Sequence, residues 1–184
     1  MKNISKTIAI TVFLLFSISS FSQTWKRTYS YPGRHSGAYS VSEAYDNGYL
    51  LLSNFLQHGT SVHMGWLIKT DVNGNKMWER FFGDWEGYGL VCEKFVETSD
   101  KGIALAGTWT KTPFSNSYDP IFLKLDACGN LEWCRYFKTD DHGDFGINIM
   151  EIPDGYIGLM AYYGYDYATQ RIALTKLDLE GNVE

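Results

Sequence analysis

Acidic residues are the first candidates for chemistry in this chain. Asp84 and Glu86 stand two residues apart, and Asp140 and Asp141 are adjacent. Since glycoside hydrolysis uses two carboxyl groups as acid and base, a polysaccharide hydrolase or lyase is one hypothesis. No partner can be placed at a useful separation from sequence alone. The acidic segment 140–144 could instead hold a cation, although a solvated loop is the simpler interpretation.

Aromatic residues are the candidates for ligand binding. Tyr163, Tyr165 and Tyr167 alternate along one segment, and Trp85 lies in another segment of low apolar content. An aromatic ring has an apolar face and, in Tyr and Trp, a polar tip, so it can stack on a sugar or dock a peptide. The alternative is that these loops simply pack on their neighbours. We take these four residues as the candidate ligand-binding set.

The N-terminus has the pattern of an export signal. Lys2 and Lys6 precede an apolar run over 8–18, and small residues at Ser20 and Ser22 follow it. This order predicts a signal peptide over residues 1–22, hence a secreted or cell-surface protein. The apolar run is too short for a membrane span, and we expect no span in the mature chain.

Charge and motif content exclude several classes of function. Removing residues 1–22 takes away two lysines and no acids, which changes the net charge from −5 to −7. An acidic, exported protein is a poor binder of nucleic acid. No Ser-His-Asp order, phosphate cradle or cofactor fingerprint is present, so we expect neither a cofactor nor an assigned catalytic residue.

Cysteines and histidines do not form a metal motif. Cys92, Cys128 and Cys134 are an odd number, so at least one thiol is free or paired elsewhere. No C-x-x-C or H-E-x-x-H pattern occurs, and we expect no metal site. The four histidines are scattered: His35, His58, His63 and His142.

The elements that position these residues recur at a spacing of about 54 residues. Such a period indicates repeated structural units. We place the units at about 30–83, 84–138 and 139–184. Two motifs mark each unit, an Asp-Gly turn at Asp46–Gly48, Asp100–Gly102 and Asp154–Gly155, and a D-x-x-G-N turn at Asp71–Asn75, Asp126–Asn130 and Asp178–Asn182.

Each unit reads as four short β-rich runs. In the second unit the runs cover 90–98, 103–109, 121–125 and 131–137, with a polar loop from Lys111 to Asp119. Turn residues bound every run, and no helical period is sustained after the signal peptide. The D-x-x-G-N motif favours a tight hairpin over a calcium loop, because its Gly is fourth and not sixth. The sequence therefore predicts an all-β fold.

Other residue types recur at matching places, which favours an architectural role over a catalytic one. The recurring tryptophans fit wedges between packed sheets, and the recurring charges fit a network joining neighbouring strands. A ring of charge around a central opening is the functional alternative. The sets are Trp25, Trp78 and Trp133, each with an Arg two residues later; Glu43, Glu97 and Glu151; and Lys69, Lys124 and Lys176.

The order of the runs suggests a ring that is not complete. Trp25 to Tyr29 reads as an isolated fourth strand, and Gly181 predicts a Trp just after Glu184. This layout, with K-L-D-x-x-G-N at 176–182 and G-N-x-x-W at 129–133, resembles the secreted β-propeller repeat proteins of Bacteroidetes-type bacteria. The resemblance implies propeller blades and type IX secretion. Since propellers have four to eight blades, it also implies missing C-terminal blades or a sorting domain, or assembly between copies.

Two alternatives remain open at this point. Three units also fit a β-trefoil, although these units are long for one and lack the Q-x-W signature. For function, we expect a non-catalytic binding or scaffold module that recognises protein or glycan through variable loops. The polysaccharide-active enzyme and a structural spacer of a larger surface protein are the other hypotheses.

Overall fold

The computed structural model describes residues 25–56, 62–83, 89–110, 118–138, 143–163 and 170–184. Within them the chain forms eleven β-strands and no helix, which confirms the all-β prediction. No helix in this part of the chain is therefore long and apolar enough to cross a membrane. The strands are β1 (Ser36–Glu43), β2 (Tyr49–Leu56), β3 (His63–Thr70), β4 (Lys76–Phe82), β5 (Leu90–Glu97), β6 (Ile103–Thr110), β7 (Tyr118–Leu125), β8 (Leu131–Tyr136), β9 (Phe145–Ile152), β10 (Gly155–Tyr163) and β11 (Gln170–Leu177).

The strands run as three antiparallel meanders, which we call the first unit (β1–β4), the second unit (β5–β8) and the third unit (β9–β11). A single parallel bridge between Met64 and Leu90 joins the first two into one eight-stranded sheet. The third unit is a separate three-stranded sheet, with a bridge from Leu177 to Val183 beside β11. Over the described ranges, neither sheet closes on itself.

Apolar clusters lie where successive units face each other. Strand alternation sends one set of side chains to each face, so a middle unit can pack on both neighbours. One cluster combines buried residues of the first and second units, among them Leu50, Leu52, Leu67, Leu105 and Leu123. A second combines the second and third units through Ala104, Ala106, Phe122, Met160 and Leu177. Burial of these apolar faces is the main source of stability for the stack.

The D-x-x-G-N turns are closed by their own side chains. In the second unit, Asp126 Oδ1 accepts hydrogen bonds from the backbone amides of Cys128 (2.9 Å) and Asn130 (2.8 Å), and Oδ2 accepts from Asn130 Nδ2 (2.8 Å). Gly129 takes a left-handed φ of +78°, which only Gly adopts freely. The amides of Asn130 and Cys128 lower the pKa of Asp126. Its oxygens are used by hydrogen-bond donors, as the hairpin interpretation requires.

Each D-x-x-G-N turn is contacted by a tryptophan and an arginine that come from an earlier part of the chain. Trp133 Nε1 donates to the carbonyl of Leu179 (3.0 Å), and Arg135 Nη2 donates to Asn182 Oδ1 (3.1 Å). The same contact type occurs one unit earlier, where Arg80 Nε donates to the carbonyl of Gly129 (2.8 Å). We call each such set a clasp. The clasps on β4 and β8 tie the outer strand of one unit to the next unit. Of the three recurring tryptophans, Trp133 lies between the two sheets. Trp78 instead joins two units of one sheet, and Trp25 is 56% exposed.

The first turns of the units carry the recurring charges. Lys69 pairs with Asp46, and Lys124 pairs with Asp100 at 2.8 Å. The equivalent pair in the third unit joins Lys176 and Asp154 at 2.8 Å. These pairs connect strands within one unit, which matches the expected network.

Two of the recurring glutamates join the network through hydrogen bonds to a turn. Glu97 accepts from the backbone amide of Tyr45 (2.9 Å), and Glu151 accepts from the amide (2.8 Å) and hydroxyl (2.8 Å) of Ser99. Glu97 and Glu151 therefore each join their own unit to the preceding unit, through hydrogen bonds to the first turn of that unit. The clasps join the same units at the D-x-x-G-N turns.

One predicted strand and one predicted loop boundary are wrong. Residues 25–31 form no strand, because Trp25 and Arg27 are held by side-chain contacts to the 71–75 turn and not by a backbone ladder. The polar loop predicted to end at Asp119 ends earlier, since β7 begins at Tyr118. Asp119 and Pro120 are poor strand formers, but both are buried in the sheet, so tertiary packing overrides their local preference.

Candidate ligand-binding site

The two ends of the sheets differ in character. At one end lie the recurring turns and clasps. The opposite end, which we call the variable end, is marked by the strand pairs Leu56–His63, Thr110–Tyr118 and Tyr163–Gln170. The residue types at these pairs differ from unit to unit, whereas those at the turn end are nearly the same. Differences of this kind are where specificity is built on a repeated scaffold.

An aromatic cluster lies at the variable end, where the second and third units meet. The rings of Tyr118 and Phe145 stack with centroids 5.7 Å apart and an interplanar angle of 23°. Tyr163 meets the edge of Phe145 at 5.4 Å and 78°. All three side chains are half-buried, so each ring has one part packed and one part in contact with solvent. We call Tyr118, Phe145 and Tyr163 the aromatic platform.

A buried carboxylate holds the platform in place. Asp144 is 3% exposed, and its Oδ1 accepts a hydrogen bond from the backbone amide of Tyr163 (2.7 Å). The Asp144 amide in turn donates to the carbonyl of Tyr118 (2.9 Å), and Gly143 forms a parallel bridge with the same residue. Asp144 therefore joins β7, β9 and β10 at the point where their aromatic residues meet.

The neighbouring Tyr162 adds a further half-buried ring to this region. Burial raises the pKa of its hydroxyl, and the negative charge of Asp144 raises it further. The hydroxyl also lies 3.4 Å from the sulfur of Met160. The Tyr162 hydroxyl consequently stays neutral at ordinary pH.

The platform suits binding more than catalysis. Stacked and edge-on rings with phenol hydroxyls match ligands that combine apolar faces with hydroxyl or amide groups, such as sugars and peptides. Asp144 is used as an acceptor within the protein and is too buried to reach a ligand directly. Its role is to position the rings.

Of the predicted ligand-binding residues, the structure places Tyr163. Its ring packs against the Phe145 ring, and such packing is the alternative to ligand binding that the sequence left open. Three other candidates, Trp85, Tyr165 and Tyr167, lie outside the described residues. So do both acidic pairs, Asp84 with Glu86 and Asp140 with Asp141, and residues 1–22.

Sequence reasoning missed Tyr118, Phe145 and the role of Asp144. Tyr118 was counted in a polar loop, and Asp144 was counted in an acidic segment. A usable signal existed, because Tyr118 and Phe145 flank two variable segments of neighbouring units. Each of them is the first residue of a strand that follows a variable segment, and packing of the units brings such residues together.

Within the described ranges, no group of three or more His, Cys, Asp or Glu side chains could hold a metal ion. All three cysteines are free thiols: Cys92 is buried, Cys134 is half-buried and Cys128 is exposed. The thiols of Cys92 and Cys134 both have a raised pKa, chiefly because of burial. Neither buried thiol has the lowered pKa of a reactive cysteine.

The fold defines an all-β protein made of antiparallel meanders with an aromatic platform at one end. No known family model and no curated protein matches the chain.

Proposed function

We propose that this protein is a secreted or cell-surface binding module whose units are blades of a β-propeller, and that it recognises a glycan or protein through the variable end. The proposal extends the resemblance to secreted propeller proteins of Bacteroidetes-type bacteria. Two four-stranded antiparallel meanders and one three-stranded meander, joined by shared apolar clusters and by one clasp per junction, support the blade interpretation. The predicted signal peptide supports the location.

One observation carries the proposed function, namely the contrast between the two ends. The turn end repeats the same contacts unit after unit, which is the behaviour of a scaffold. The variable end carries the aromatic platform, whose rings are half-exposed and held by a buried carboxylate. A pre-formed set of rings loses little conformational freedom on binding, which favours a recognition role.

The test is binding of the full chain to a glycan array and to a peptide library, followed by titration calorimetry of any hit. We expect Tyr163→Ala to weaken binding at least tenfold while the thermal unfolding transition is retained. Leu131→Ala is the control, because Leu131 is 61% exposed and lies at the turn end of β8, opposite to the variable end. Equal affinities for the two variants, or turnover of a polysaccharide by the wild type, would reject the proposal.

A further inference from the structure

We propose that the cleft between the first and second units binds an amphiphilic carboxylate, with its alkyl chain between the units and its carboxylate on Arg80. The cleft lies between two complete four-stranded meanders in the middle of the described structure. It is separate from the aromatic platform, so the proposal does not depend on the recognition function argued above.

The cleft is a small-molecule pocket by size and lining. It has a volume of about 460 Å³ and lies along the outer strands of the two units. Phe82 of β4 lines one side, and Cys134 of β8 and the apolar side chains of β7 line the other. On β7 these side chains extend from Ile121 to Leu125, which spans about 13 Å. A narrow, mostly apolar cleft of this volume suits one elongated ligand.

Smaller side chains open this space in the second unit. Counted from the recurring Lys and Trp, Ile121 and Cys134 occupy the places that Trp66 and Glu79 occupy in the first unit. In the first unit, Trp66 Nε1 donates to Glu79 Oε2 (2.9 Å), and the Trp66 ring stacks on Phe81 at 5.9 Å. Ile121 and Cys134 supply neither a ring nor a carboxylate, and both line the cleft.

Arg80 supplies positive charge at the turn end of the cleft. Its Nε, Nη1 and Nη2 donate to the carbonyls of Gly129 (2.8 Å), Glu79 (2.9 Å) and Cys128 (2.8 Å). All three acceptors are neutral. An Arg side chain carries five N–H donors, so the guanidinium has donors left after these three bonds.

The guanidinium is fixed in position but has no direct carboxylate partner. Among the described residues, Arg80 takes part in none of the ion pairs. Asp126 belongs to the turn that Arg80 contacts, but both its oxygens accept hydrogen bonds from donors of that turn. Arg80 also lies over the Trp78 ring at 5.4 Å. A positioned, unpaired guanidinium is well suited to a carboxylate ligand.

The lining selects the rest of the ligand. An alkyl chain gains by leaving water for the apolar walls. A sugar or a peptide would instead bring hydroxyl or amide groups against side chains such as Leu123 and Trp109, which leave those groups without hydrogen-bond partners. The pocket therefore favours an alkyl chain with one anionic end.

Titration calorimetry on the full chain tests the charge preference with decanoate and decanol. We expect decanoate to bind about tenfold more tightly, because only its end group can accept charge-assisted hydrogen bonds from Arg80. Arg80→Gln should remove that difference and leave decanol binding unchanged. Arg135→Gln is the matched control and should keep the preference, because Arg135 makes the equivalent clasp between the second and third units.

The Cys134 thiol tests the location. In a Cys128→Ser background, decanoate should slow the reaction of the half-buried Cys134 with N-ethylmaleimide, since the bound chain covers it. Butyrate has the same carboxylate on a shorter chain and should leave the rate unchanged. This measurement needs no cleft variant, so it does not depend on the folding of Arg80→Gln.

Three results would overturn the proposal. The first is no binding of decanoate, and the second is equal affinity for decanoate and decanol in the wild type. The third is binding of decanoate that leaves the Cys134 reaction unchanged, because the ligand would then lie outside the cleft.

Discussion

Trp133 lies directly over Gly181. A Cβ at position 181 would come within 2.6 Å of the indole ring, and the Gly181 φ is +77°. The ring also meets Tyr156 at 5.4 Å, so it is held between the second and third units. The clasp thus requires a glycine at the fourth position of the turn for two reasons, backbone conformation and space.

Gly181→Ala should destabilise the protein by about 2–4 kcal/mol, because it adds left-handed strain and a steric clash with Trp133. Gly33→Ala is the matched control. Gly33 has a similar φ of +70°, but nothing lies within 4 Å of its Cβ position. It should cost only about 1 kcal/mol. Urea unfolding of both variants measures the loss in the free energy of unfolding. Equal losses would show that the contact between Trp133 and position 181 adds nothing to the cost of the left-handed backbone.

Much of the fold was readable from the sequence because its signals are local. The Asp and Gly of each turn, and the alternation that follows, predict the strands of the second unit to within one residue at most ends. What was not readable depends on tertiary contacts. The start of β7 at Tyr118 follows from burial of Asp119. The missing strand at Trp25 follows from the side-chain contacts that hold Trp25 and Arg27 to the 71–75 turn.

The candidate site was less predictable than the fold. Tyr163 stood out as one of a cluster, but its platform partners come from β7 and β9. Sequence spacing does not show which strand ends meet when units pack. The buried Asp144 likewise looks like any acidic loop residue until its neighbours are known.

Asn54 is expected to be a strong contributor to the junction between the first two units. Its Nδ2 donates to the Cys92 carbonyl (2.8 Å), and its Oδ1 accepts from the Cys92 amide (2.9 Å). It is 3% exposed, so Asn54→Ala leaves two buried backbone groups without partners. We expect a loss of about 2–4 kcal/mol in the free energy of unfolding, measured by urea denaturation.

Ser53→Ala provides the comparison for that experiment. Ser53 lies on the neighbouring position of β2 and donates to the Gly37 carbonyl (2.9 Å) at an exposed site. Its loss should cost less than about 1 kcal/mol, because water replaces the lost hydrogen bond. Equal losses in the free energy of unfolding for Asn54→Ala and Ser53→Ala would show that the buried Asn54 hydrogen bonds stabilise the protein no more than an exposed one does.

Acid stability should depend on Asp100. Burial raises the pKa of this carboxyl, but hydrogen bonds from Lys124, Thr98 and Gly102 outweigh it, and the pKa falls to about 2. A lowered folded-state pKa gives stability that is present above the unfolded value of about 3.9 and is lost as the pH falls toward 2. The side chain is 57% exposed, so solvent limits the effect to about 1 kcal/mol.

The measurement is the difference in stability between wild type and Asp100→Asn from pH 5 to pH 2. The difference should shrink as the pH falls through this window. Asp154→Asn should give a smaller difference, because its partner Lys176 is 38% exposed whereas Lys124 is 1% exposed. Parallel curves for wild type and Asp100→Asn at every pH would contradict the assignment.

Thiol reactivity should separate the three cysteines by burial. Cys128 is exposed, whereas Cys92 is fully buried with its Sγ only 2.4 Å from the Cβ position of Gly65. Burial raises the pKa of Cys92, and the nearby charge of Glu93 raises it further, so almost no thiolate is present. Since the thiolate is the reactive form, Cys92 should react with a disulfide reagent such as DTNB only on unfolding.

Folded protein should therefore show one fast thiol, and denatured protein should show all three. Cys128→Ser should abolish the fast phase without changing the slow one. The half-buried Cys134 should fall between, because burial raises its pKa while Arg135 lowers it. A fast reaction that persists in a variant carrying both Cys128→Ser and Cys134→Ser would come from Cys92. It would mean that the junction between the first two units opens readily.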